Sequence, residues 1–182
     1  MLITHENIKI RNTVPDDAEI LCHWWNDGKV MAHTGFPNGL GTTKEAVLNQ
    51  MQNYDNEKYR VFIIEIDSKP VGEMNYRNMS DKTAQIGIKI CDFCYQDKGY
   101  GTIILKLFIN TLFDDLGYEK IILDTNLKNV RAQHVYEKLG FIKQKINIDS
   151  WKDQIGNLQS SIDYALTKEK WRINYYERKR NY

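Results

Sequence analysis

QDKGYGT, residues 96–102, lies between a predicted strand and a predicted helix, and it is the stretch that decides the fold. A helix N-terminus offers unpaired backbone N–H groups and the positive end of the helix dipole, so it attracts an anion. Gly99 and Gly101 let the backbone curl closely around such a group. Thr102 adds a hydroxyl group and Lys98 a supporting charge. Taken alone, this short glycine motif is equally compatible with a simple strand-to-helix turn.

A second motif, NVRAQHVYEKLGF at residues 129–141, follows the first along the chain. Asn129 and Tyr136 are separated by nearly two helical turns, so they lie on one face of a predicted helix. Ala132 lies between them on that face, and its small side chain permits a narrow ligand to approach. A plainer interpretation makes Asn129 the helix cap and Tyr136 a core residue, and capping is compatible with ligand contact.

The surrounding hydrophobic pattern predicts a mixed sheet flanked by helices. Strands are predicted at 8–11, 59–66, 71–78, 82–91, 121–124, 141–150 and 158–167. Helices are predicted from 13 to 28, 42 to 54, 101 to 116 and 129 to 139. The strand–helix–strand unit at 84–124 predicts a parallel crossover. The fold class is therefore α/β, or more broadly α+β, with about seven strands and about four helices.

Together the two motifs resemble the signatures of the GNAT superfamily of acetyltransferases. Residues 96–102 are similar to its Q/R-x-x-G-x-G/A signature, and residues 129–141 to its N-x-x-A-x-x-x-Y-x-K-x-G-F segment. The order of elements also matches over residues 8–167. The resemblance implies the GNAT fold, a mostly antiparallel sheet with a splayed parallel strand pair at the cofactor site. It implies one acetyltransferase domain at 1–167, followed by a basic segment at 168–182 that can form a helix.

The resemblance further implies that acetyl-CoA is the acyl donor and that no metal is needed. Backbone N–H groups from Lys98 to Thr102 would hold the pyrophosphate, and the strand end 88–90 would accept the pantetheine amides. Asn129 would contact the pantetheine arm, and Tyr136 would stand beside the thioester sulfur. The expected cofactor-binding residues are Ile88, Ile90, Gln96, Lys98, Gly99, Tyr100, Gly101, Thr102, Asn129, Ala132 and Tyr136.

Acetyl transfer requires a neutral amine, a stabilised carbonyl oxygen and an accommodated leaving thiolate. Tyr136 suits the last role, because a phenol with a pKa of about 10 can donate a hydrogen bond to a thiolate whose thiol has a pKa of about 8.5. In the family, the backbone N–H near Ile90 would stabilise the oxygen.

Asp124 and Glu73 are the two candidates for the base. The pattern D-x-x-x-x-N-x-R-A, beginning at Asp124, resembles the aminoglycoside 6′-N-acetyltransferases, in which an acid at that position serves the amine. Glu73 lies on a predicted hairpin strand, and several family members use a glutamate on a neighbouring strand. In the plainer interpretation, Asp124 is an acidic residue of the following turn and Glu73 is an exposed residue of its strand. A third alternative is that water removes the proton from the amine while the carboxylates orient the substrate.

The family places the acceptor amine between the early helices and the last hairpin. Trp24, Trp25 and Asp27, and later Trp151, would bind a cationic amine there through cation–π and ion-pair contacts. Glu73 and Asp124 complete the expected acceptor-binding set. The plainer interpretation of Trp24 and Trp25 is core packing, because both fall on the apolar face of their helix.

Composition narrows the function classes. The chain is 42% hydrophobic and 27% charged, as is ordinary for a globular protein, and its net charge of +1 gives no argument for nucleic acid or membrane partners. No apolar run reaches the roughly 20 residues of a membrane-spanning helix, and the N-terminus lacks a signal-peptide core, so we expect the cytoplasm. Cys22, Cys91 and Cys94 suit a reducing compartment, and they complete no zinc site.

The sequence therefore predicts an N-acetyltransferase acting on a primary amine of a small cationic molecule, aminoglycoside-like or polyamine-like. Two alternatives stay open: a ribosomal-protein alanine N-acetyltransferase, whose element order is also similar, and a CoA-binding sensor without catalysis. Tyr136 and Asp124 argue against the sensor, since a mere binder needs neither. The basic segment 168–182 is interpreted as a solvated helix or a dimer contact rather than an RNA-binding tail. The sequence does not decide whether the protein is a homodimer.

Overall fold

One parallel pair of strands lies within an otherwise antiparallel sheet of eight strands. The computed structural model describes residues 1–55 and 57–173. The strands are β1 (Leu2–His5), β2 (Ile8–Asn12), β3 (Tyr59–Ile66), β4 (Lys69–Asn78), β5 (Thr83–Ile90), β6 (Lys120–Asn126), β7 (Ile142–Lys152) and β8 (Leu158–Thr167). They are ordered β1-β2-β3-β4-β5-β6-β8-β7, and only β5 and β6 run parallel. The predicted fold class is confirmed.

Strand β1 is the additional strand that the hydrophobic pattern did not predict. It spans only four residues and has no buried position, so it carries no alternation of apolar and polar side chains. It pairs antiparallel with β2 after a tight turn in which Glu6 has a positive φ of 51°. Its position is therefore fixed by main-chain pairing at the sheet edge rather than by burial.

The helices are α1 (Ala18–Asn26), α2 (Gly28–Met31), α3 (Lys44–Met51), α4 (Tyr100–Asn110) and α5 (Val130–Leu139). The helix predicted from 13 to 28 is α1, which begins later, after a short 3-10 turn, and ends at Asn26; the short helix α2 follows it. Asp27 separates them: its backbone is extended, and its carboxylate accepts a hydrogen bond from the Lys29 N–H at 2.7 Å. The helix predicted to reach 116 continues past α4 only as a π-helical turn, Thr111–Asp115.

Two hydrophobic cores lie on opposite faces of the sheet. Helices α4 and α5 pack on one face, where Phe62, Tyr76 and Phe108 are fully buried and their rings contact one another. Helices α1, α2 and α3 pack on the other face around Leu21 and Val47. Helices α1, α2 and α3 thereby cover the face of the sheet opposite α4 and α5.

Residues 168–173 form a helical segment that packs on the domain. The indole of Trp171 is buried and donates a hydrogen bond to Asn110 Oδ1 at 2.8 Å, while Lys168 Nζ donates to the Phe113 carbonyl oxygen at 2.5 Å. The start of the basic segment is thus part of the folded unit. The remainder of that predicted tail, 174–182, lies outside the described residues. No helix in the described ranges is long and apolar enough to cross a membrane.

Candidate functional site

Strands β5 and β6 separate part of the way along their length. Their parallel ladder joins only Thr83–Gln85 to Lys120–Ile122. Beyond that point β5 stays paired with β4 as far as Ile90, and β6 stays paired with β8 as far as Asn126. A wedge-shaped gap therefore opens between two strands whose outer edges are both held firmly.

A cavity of about 850 Å³ runs through this gap. Its walls come from the separated ends of β5 and β6, the first turns of α4 and α5, and the segment around α2. The predicted residues on its wall are Glu73, Ile88, Ile90, Gln96, Gly99, Gly101, Thr102, Asp124, Asn129, Ala132, Tyr136 and Trp151. The fold thus brings both sequence motifs and both candidate bases to one continuous space.

The N-terminus of α4 forms an open cradle at one end of the cavity. Gly99 caps the helix with a φ of 82°, a conformation that favours glycine, and a methyl group added at Gly99 or Gly101 would meet no atom within 4 Å. The N–H groups of Thr102 and Ile103 both donate to the Gly99 carbonyl oxygen, at 3.1 and 3.3 Å. The amides of Gly99, Tyr100 and Gly101 therefore remain to face an anion.

Gln96 and Arg131 lock the cradle to the neighbouring elements. Gln96 Nε2 donates to the Ile90 carbonyl oxygen at 2.7 Å, at the end of β5. Arg131, in the first turn of α5, donates from Nη1 to Gln96 Oε1 at 2.6 Å and lies 3.3 Å from Asp97 Oδ2. The glutamine of the first motif is thus held by a residue of the second, which explains why the two segments act as one unit.

Two residues of the predicted cradle point elsewhere. Lys98 is exposed to solvent and is not on the cavity wall, and Tyr100 packs its ring against Tyr95 at 6.0 Å between centroids. The cradle therefore offers main-chain dipoles rather than a fixed cationic side chain. Binding of phosphate by a helix N-terminus needs no such side chain.

Asn129 is the N-cap of α5, as its plainer interpretation predicted. Its Oδ1 accepts from the Ala132 N–H at 3.2 Å, and its Nδ2 donates to Thr125 Oγ1 at 3.2 Å. The same side chain lies on the cavity wall, so the cap sets the angle at which α5 presents its face to the gap. Ala132 adds only a methyl group to that face.

Tyr136 is buried between aromatic rings at the centre of the site. Its ring lies 5.9 Å from that of Phe141 and 5.7 Å from that of Tyr164, and the residue is 7% exposed. Burial, together with the nearby charge of Asp124, raises the pKa of Tyr136 to about 12. The phenol therefore stays protonated and can act as a hydrogen-bond donor toward the cavity.

Asp124 lies on the cavity floor directly opposite Asp163 of β8. The carboxyl group opens onto the cavity, yet desolvation by the cavity walls and then the charge of Asp163 raise the pKa of Asp124, while a hydrogen bond from Gln85 at 3.4 Å opposes the shift. Asp163 accepts a hydrogen bond from Asn147 at 3.1 Å. Two facing carboxylates favour a positive charge or a proton between them.

Glu73 is buried and already engaged by two donors. Its Oε1 lies 2.5 Å from Lys89 Nζ, the residue opposite it on β5, and accepts from the indole N–H of Trp25 at 3.0 Å. Glu73 is 3% exposed. The Glu73 carboxylate is therefore already paired with a cation and an indole N–H before any acceptor binds.

The predicted acceptor residues divide between core and cavity. Trp24 and Trp25 are buried in the core under α1, and Asp27 caps α2, so none of the three is on the described wall. The same part of the chain contributes other wall residues instead, namely Lys29, Val30, His33 and Thr34. They lie on α2 and on the following 3-10 turn, Ala32–Thr34, and neither of these was predicted from the sequence.

Within residues 1–55 and 57–173, no group of three or more His, Cys, Asp or Glu side chains is placed to hold a metal ion. The three cysteines are free thiols, and Cys91 is buried while Cys94 is exposed, so this pair does not share one environment.

A family model described as "Acetyltransferase (GNAT) domain" matches residues 7–142 of the chain. This range includes the cradle, the gap between β5 and β6 and both sequence motifs. Among curated proteins, the SPbeta prophage-derived uncharacterized N-acetyltransferase YokL of Bacillus subtilis (strain 168) is 23% identical, and the alignment covers 94% of this chain and 96% of that protein.

Solved structures share the architecture at low sequence identity. A spermidine N-acetyltransferase from Vibrio cholerae, in complex with CoA and spermine, has a TM-score of 0.81 and 20% identity, covering 92% of this chain and 99% of that one. The RimL ribosomal L7/L12 alpha-N-protein acetyltransferase, in complex with coenzyme A, has a TM-score of 0.80 and 15% identity, covering 92% and 98%. At these identities the similarity concerns the fold.

Proposed function

The chain belongs to the GNAT acetyltransferase family, and we propose that it acetylates the primary amine of a small cationic molecule. It is an acyltransferase of the kind that uses acetyl-CoA. Three features around one cavity carry the proposal: a glycine cradle at a helix N-terminus, a gap between parallel strands, and a buried phenol.

The cavity residues suit the chemical parts of acetyl-CoA. The open space beside Gly99 and Gly101 suits a pyrophosphate, because a side chain there would fill it. The edge of β5 at 88–90 that faces the gap lies beyond the pairing of β5 with β6, and it suits an arm that carries amide groups, since amides both donate and accept hydrogen bonds. When bound, acetyl-CoA supplies a thioester carbonyl for the amine to attack and a thiolate that leaves.

Tyr136 is proposed to stabilise the leaving thiolate by donating a hydrogen bond. With a phenol pKa of about 12 and a usual thiol pKa of about 8.5, complete proton transfer to the sulfur is unfavourable. Hydrogen-bond donation needs no such transfer and lowers the energy of the developing charge.

Asp124 is proposed to hold and deprotonate the acceptor amine. It lies open on the cavity floor, and its raised pKa makes it a better base than an ordinary aspartate. Glu73 is proposed to act with Lys89 as a charged pair that orients the acceptor, since both lie on the cavity wall and the carboxylate is already paired.

Replacing Asp163 by asparagine should shift the acidic limb of the kcat/KM–pH profile to lower pH. Asp124 works as the ionised form in this proposal, so activity rises with pH as Asp124 loses its proton. Removing the facing negative charge lowers the pKa of Asp124, and ionisation then begins at a lower pH. Asp124→Asn should abolish the limb. An unchanged limb in both variants would remove Asp124 from the base role.

Replacing Asp124 by asparagine should also raise the melting temperature at neutral pH. The pKa of Asp124 is raised in the folded protein, so the folded protein holds this proton more tightly than the unfolded chain does. The stability of the folded protein therefore falls as pH rises from the ordinary carboxyl pKa of about 3.9 through the raised value. Above that window the ionised group opposes folding, and asparagine removes the charge while it can still accept from Gln85. Thermal unfolding at several pH values measures this, and equal melting temperatures at neutral pH would contradict it.

A cationic acceptor is supported by the carboxylate of Asp124 on the cavity wall, with Asp163 opposite it on β8. The spermidine N-acetyltransferase fold gives the polyamine-like class further support. Lys29 and Arg77 also lie on the wall, so part of the cavity wall repels a cation. The aminoglycoside branch of the family stays a prediction. So do a homodimer and a cytoplasmic setting, the latter supported by the three free thiols.

A panel of acceptors tests the proposal directly. The protein is incubated with acetyl-CoA and, separately, with polyamines, aminoglycosides, amino acids and N-terminal peptides, and free thiol release is followed. Amine-dependent thiol release with a small cationic amine is expected. Release only with peptides would favour the ribosomal-protein type of activity, whereas cofactor binding without any release would favour a sensor.

A further inference from the structure

One position on the cavity wall has no side chain, and it lies between Asn75 and Asp124. Asn75 of β4 is paired with Gly87 of β5. The parallel ladder of β5 and β6 ends at the pair Gln85 and Ile122, and two residues further along these strands come Gly87 and Asp124. Residues two apart on a strand share one face. Asn75, Gly87 and Asp124 therefore form one row across the sheet, and all three line the cavity.

The carboxamide of Asn75 lies beside this open position. A Cβ atom added to Gly87 would lie 3.0 Å from Nδ2, 3.4 Å from Oδ1 and 3.5 Å from Cγ of Asn75, and these are its three nearest atoms. Nonbonded carbon atoms attract one another best at about 3.5–4.0 Å, so even a methyl group at position 87 would press on the amide. Glycine at position 87 therefore lets the amide lean from β4 over β5, toward the gap and Asp124.

The polar neighbours of Asn75 on this face all have partners within the protein. The pairs are Glu73 with Lys89, Gln85 with Asp124, and Arg77 with the ring of Tyr59. The half-buried side chain of Asn75, in contrast, makes no hydrogen bond to any residue within 1–55 and 57–173. Polar groups of this kind normally have a hydrogen-bond partner. The oxygen and the two N–H donors of this amide are therefore available to a ligand in the cavity.

We infer that Asn75 is an acceptor-binding residue whose carboxamide oxygen accepts a hydrogen bond from the acceptor amine, in the space above Gly87 and opposite Asp124. The inference rests on the proposed function and specifies how the amine is held. A protonated primary amine carries three N–H donors, of which Asp124 takes one and Asn75 a second. Because the amide is uncharged, it orients the amine without the second negative charge that would make the ammonium proton harder to remove.

The test measures thiol release from acetyl-CoA with spermidine and with kanamycin, one amine from each proposed class of acceptor. Asn75→Leu keeps the approximate size of the side chain and removes the amide, whereas Asn75→Asp keeps an oxygen that accepts hydrogen bonds. Gly87→Ala presses on the amide from β5 and serves as a second variant if Asn75→Leu unfolds.

Asn78→Leu is the matched control for the loss of an amide from β4. Asn78 is an exposed asparagine of the same strand, and its Nδ2 donates to the Glu57 carbonyl oxygen at 2.8 Å. It is not among the residues that line the described cavity. Its replacement therefore removes an amide and a hydrogen bond without touching the acceptor space.

Asn75→Leu should raise the KM for the better amine about tenfold or more, because the lost hydrogen bond is to a charged group. The KM for acetyl-CoA should stay unchanged. Gly87→Ala should also raise the KM for the amine. Asn75→Asp should keep that KM at or below the wild-type value, since a carboxylate accepts strongly from an ammonium group. Asn78→Leu should match the wild-type protein in both KM values.

A KM for the amine that is unchanged in both Asn75→Leu and Gly87→Ala would overturn the inference. So would an equal rise in Asn78→Leu, or an Asn75→Asp protein as impaired in amine KM as Asn75→Leu. If the wild-type protein released no thiol with either amine, the proposed function would fail and the inference with it. The two failures are therefore distinguishable in one assay.

Discussion

Replacing Tyr136 by phenylalanine should lower kcat by about ten- to a hundredfold and leave the affinity for acetyl-CoA unchanged. Loss of a hydrogen bond to a charged group costs about 1.5–3 kcal/mol, which corresponds to that factor in rate. The hydrogen bond forms only as negative charge develops on the sulfur. The substitution therefore leaves the binding of acetyl-CoA before the reaction unchanged and lowers kcat. Phenylalanine keeps the ring contacts with Phe141 and Tyr164 that hold the side chain in place.

Tyr164→Phe is the matched control for this substitution. Tyr164 is a buried tyrosine whose ring contacts that of Tyr136, but its hydroxyl donates to Glu137 Oε1 at 2.9 Å rather than facing the cavity. Steady-state kinetics should show a normal kcat for Tyr164→Phe. Equal turnover by Tyr136→Phe and the wild-type protein would exclude Tyr136 from the chemical step.

Replacing Gly101 by leucine should abolish measurable binding of acetyl-CoA while the protein stays folded. Gly101 has an ordinary helical backbone, and a Cβ atom added there meets no atom within 4 Å, so the substitution introduces no backbone strain and its side chain starts in open space. The added side chain would occupy the space proposed for the pyrophosphate and cover the amides that would bind it. Loss of several hydrogen bonds to charged oxygens, about 1.5–3 kcal/mol each, weakens affinity by about a hundredfold or more.

Two comparisons make this result specific. Gly101→Ala should bind more weakly than the wild-type protein, yet be at least as stable, because alanine is favoured over glycine inside a helix by about 1 kcal/mol. Lys106→Leu places the same leucine on an exposed position of α4 away from the cavity and should bind normally. Normal acetyl-CoA affinity in Gly101→Leu would show that the cradle does not hold the cofactor.

The cofactor half of the site was predictable because its signals are local. Gly99 and Gly101 mark a helix start, and Asn129 and Tyr136 are related by helical periodicity alone. Each feature lies within one turn or one helix, so its geometry follows from spacing along the chain. The resemblance also implied that both motifs bind one cofactor, and residues of both lie on the wall of one cavity.

The acceptor half was not predictable, because it depends on strand register and on a helix of only four residues, α2. Lys89 meets Glu73, and Asp163 meets Asp124, only because of the pairing of β4 with β5 and of β6 with β8. The bulges in β7 shift its register with β8, and no local pattern sets their positions. The four residues of α2 are likewise too few to show helical periodicity, so the cap that Asp27 forms for it was not recognisable.

Contacts between distant segments were invisible for the same reason. Gln154 bonds to the backbone of a loop more than a hundred residues away in the chain, and an exposed glutamine in a polar turn carries no signal of its own. The loop 33–41, HTGFPNGLG, is rich in glycine. The need for glycine at position 35 follows only from the close contact between Gly35 and the indole of Trp151.

The central claim is that the cavity between β5 and β6 holds acetyl-CoA. Calorimetric titration of the wild-type protein with acetyl-CoA, up to about 1 mM, the upper end of usual KM values, tests it most directly. We expect saturable binding with one molecule per chain. No heat of binding across that range would contradict the claim.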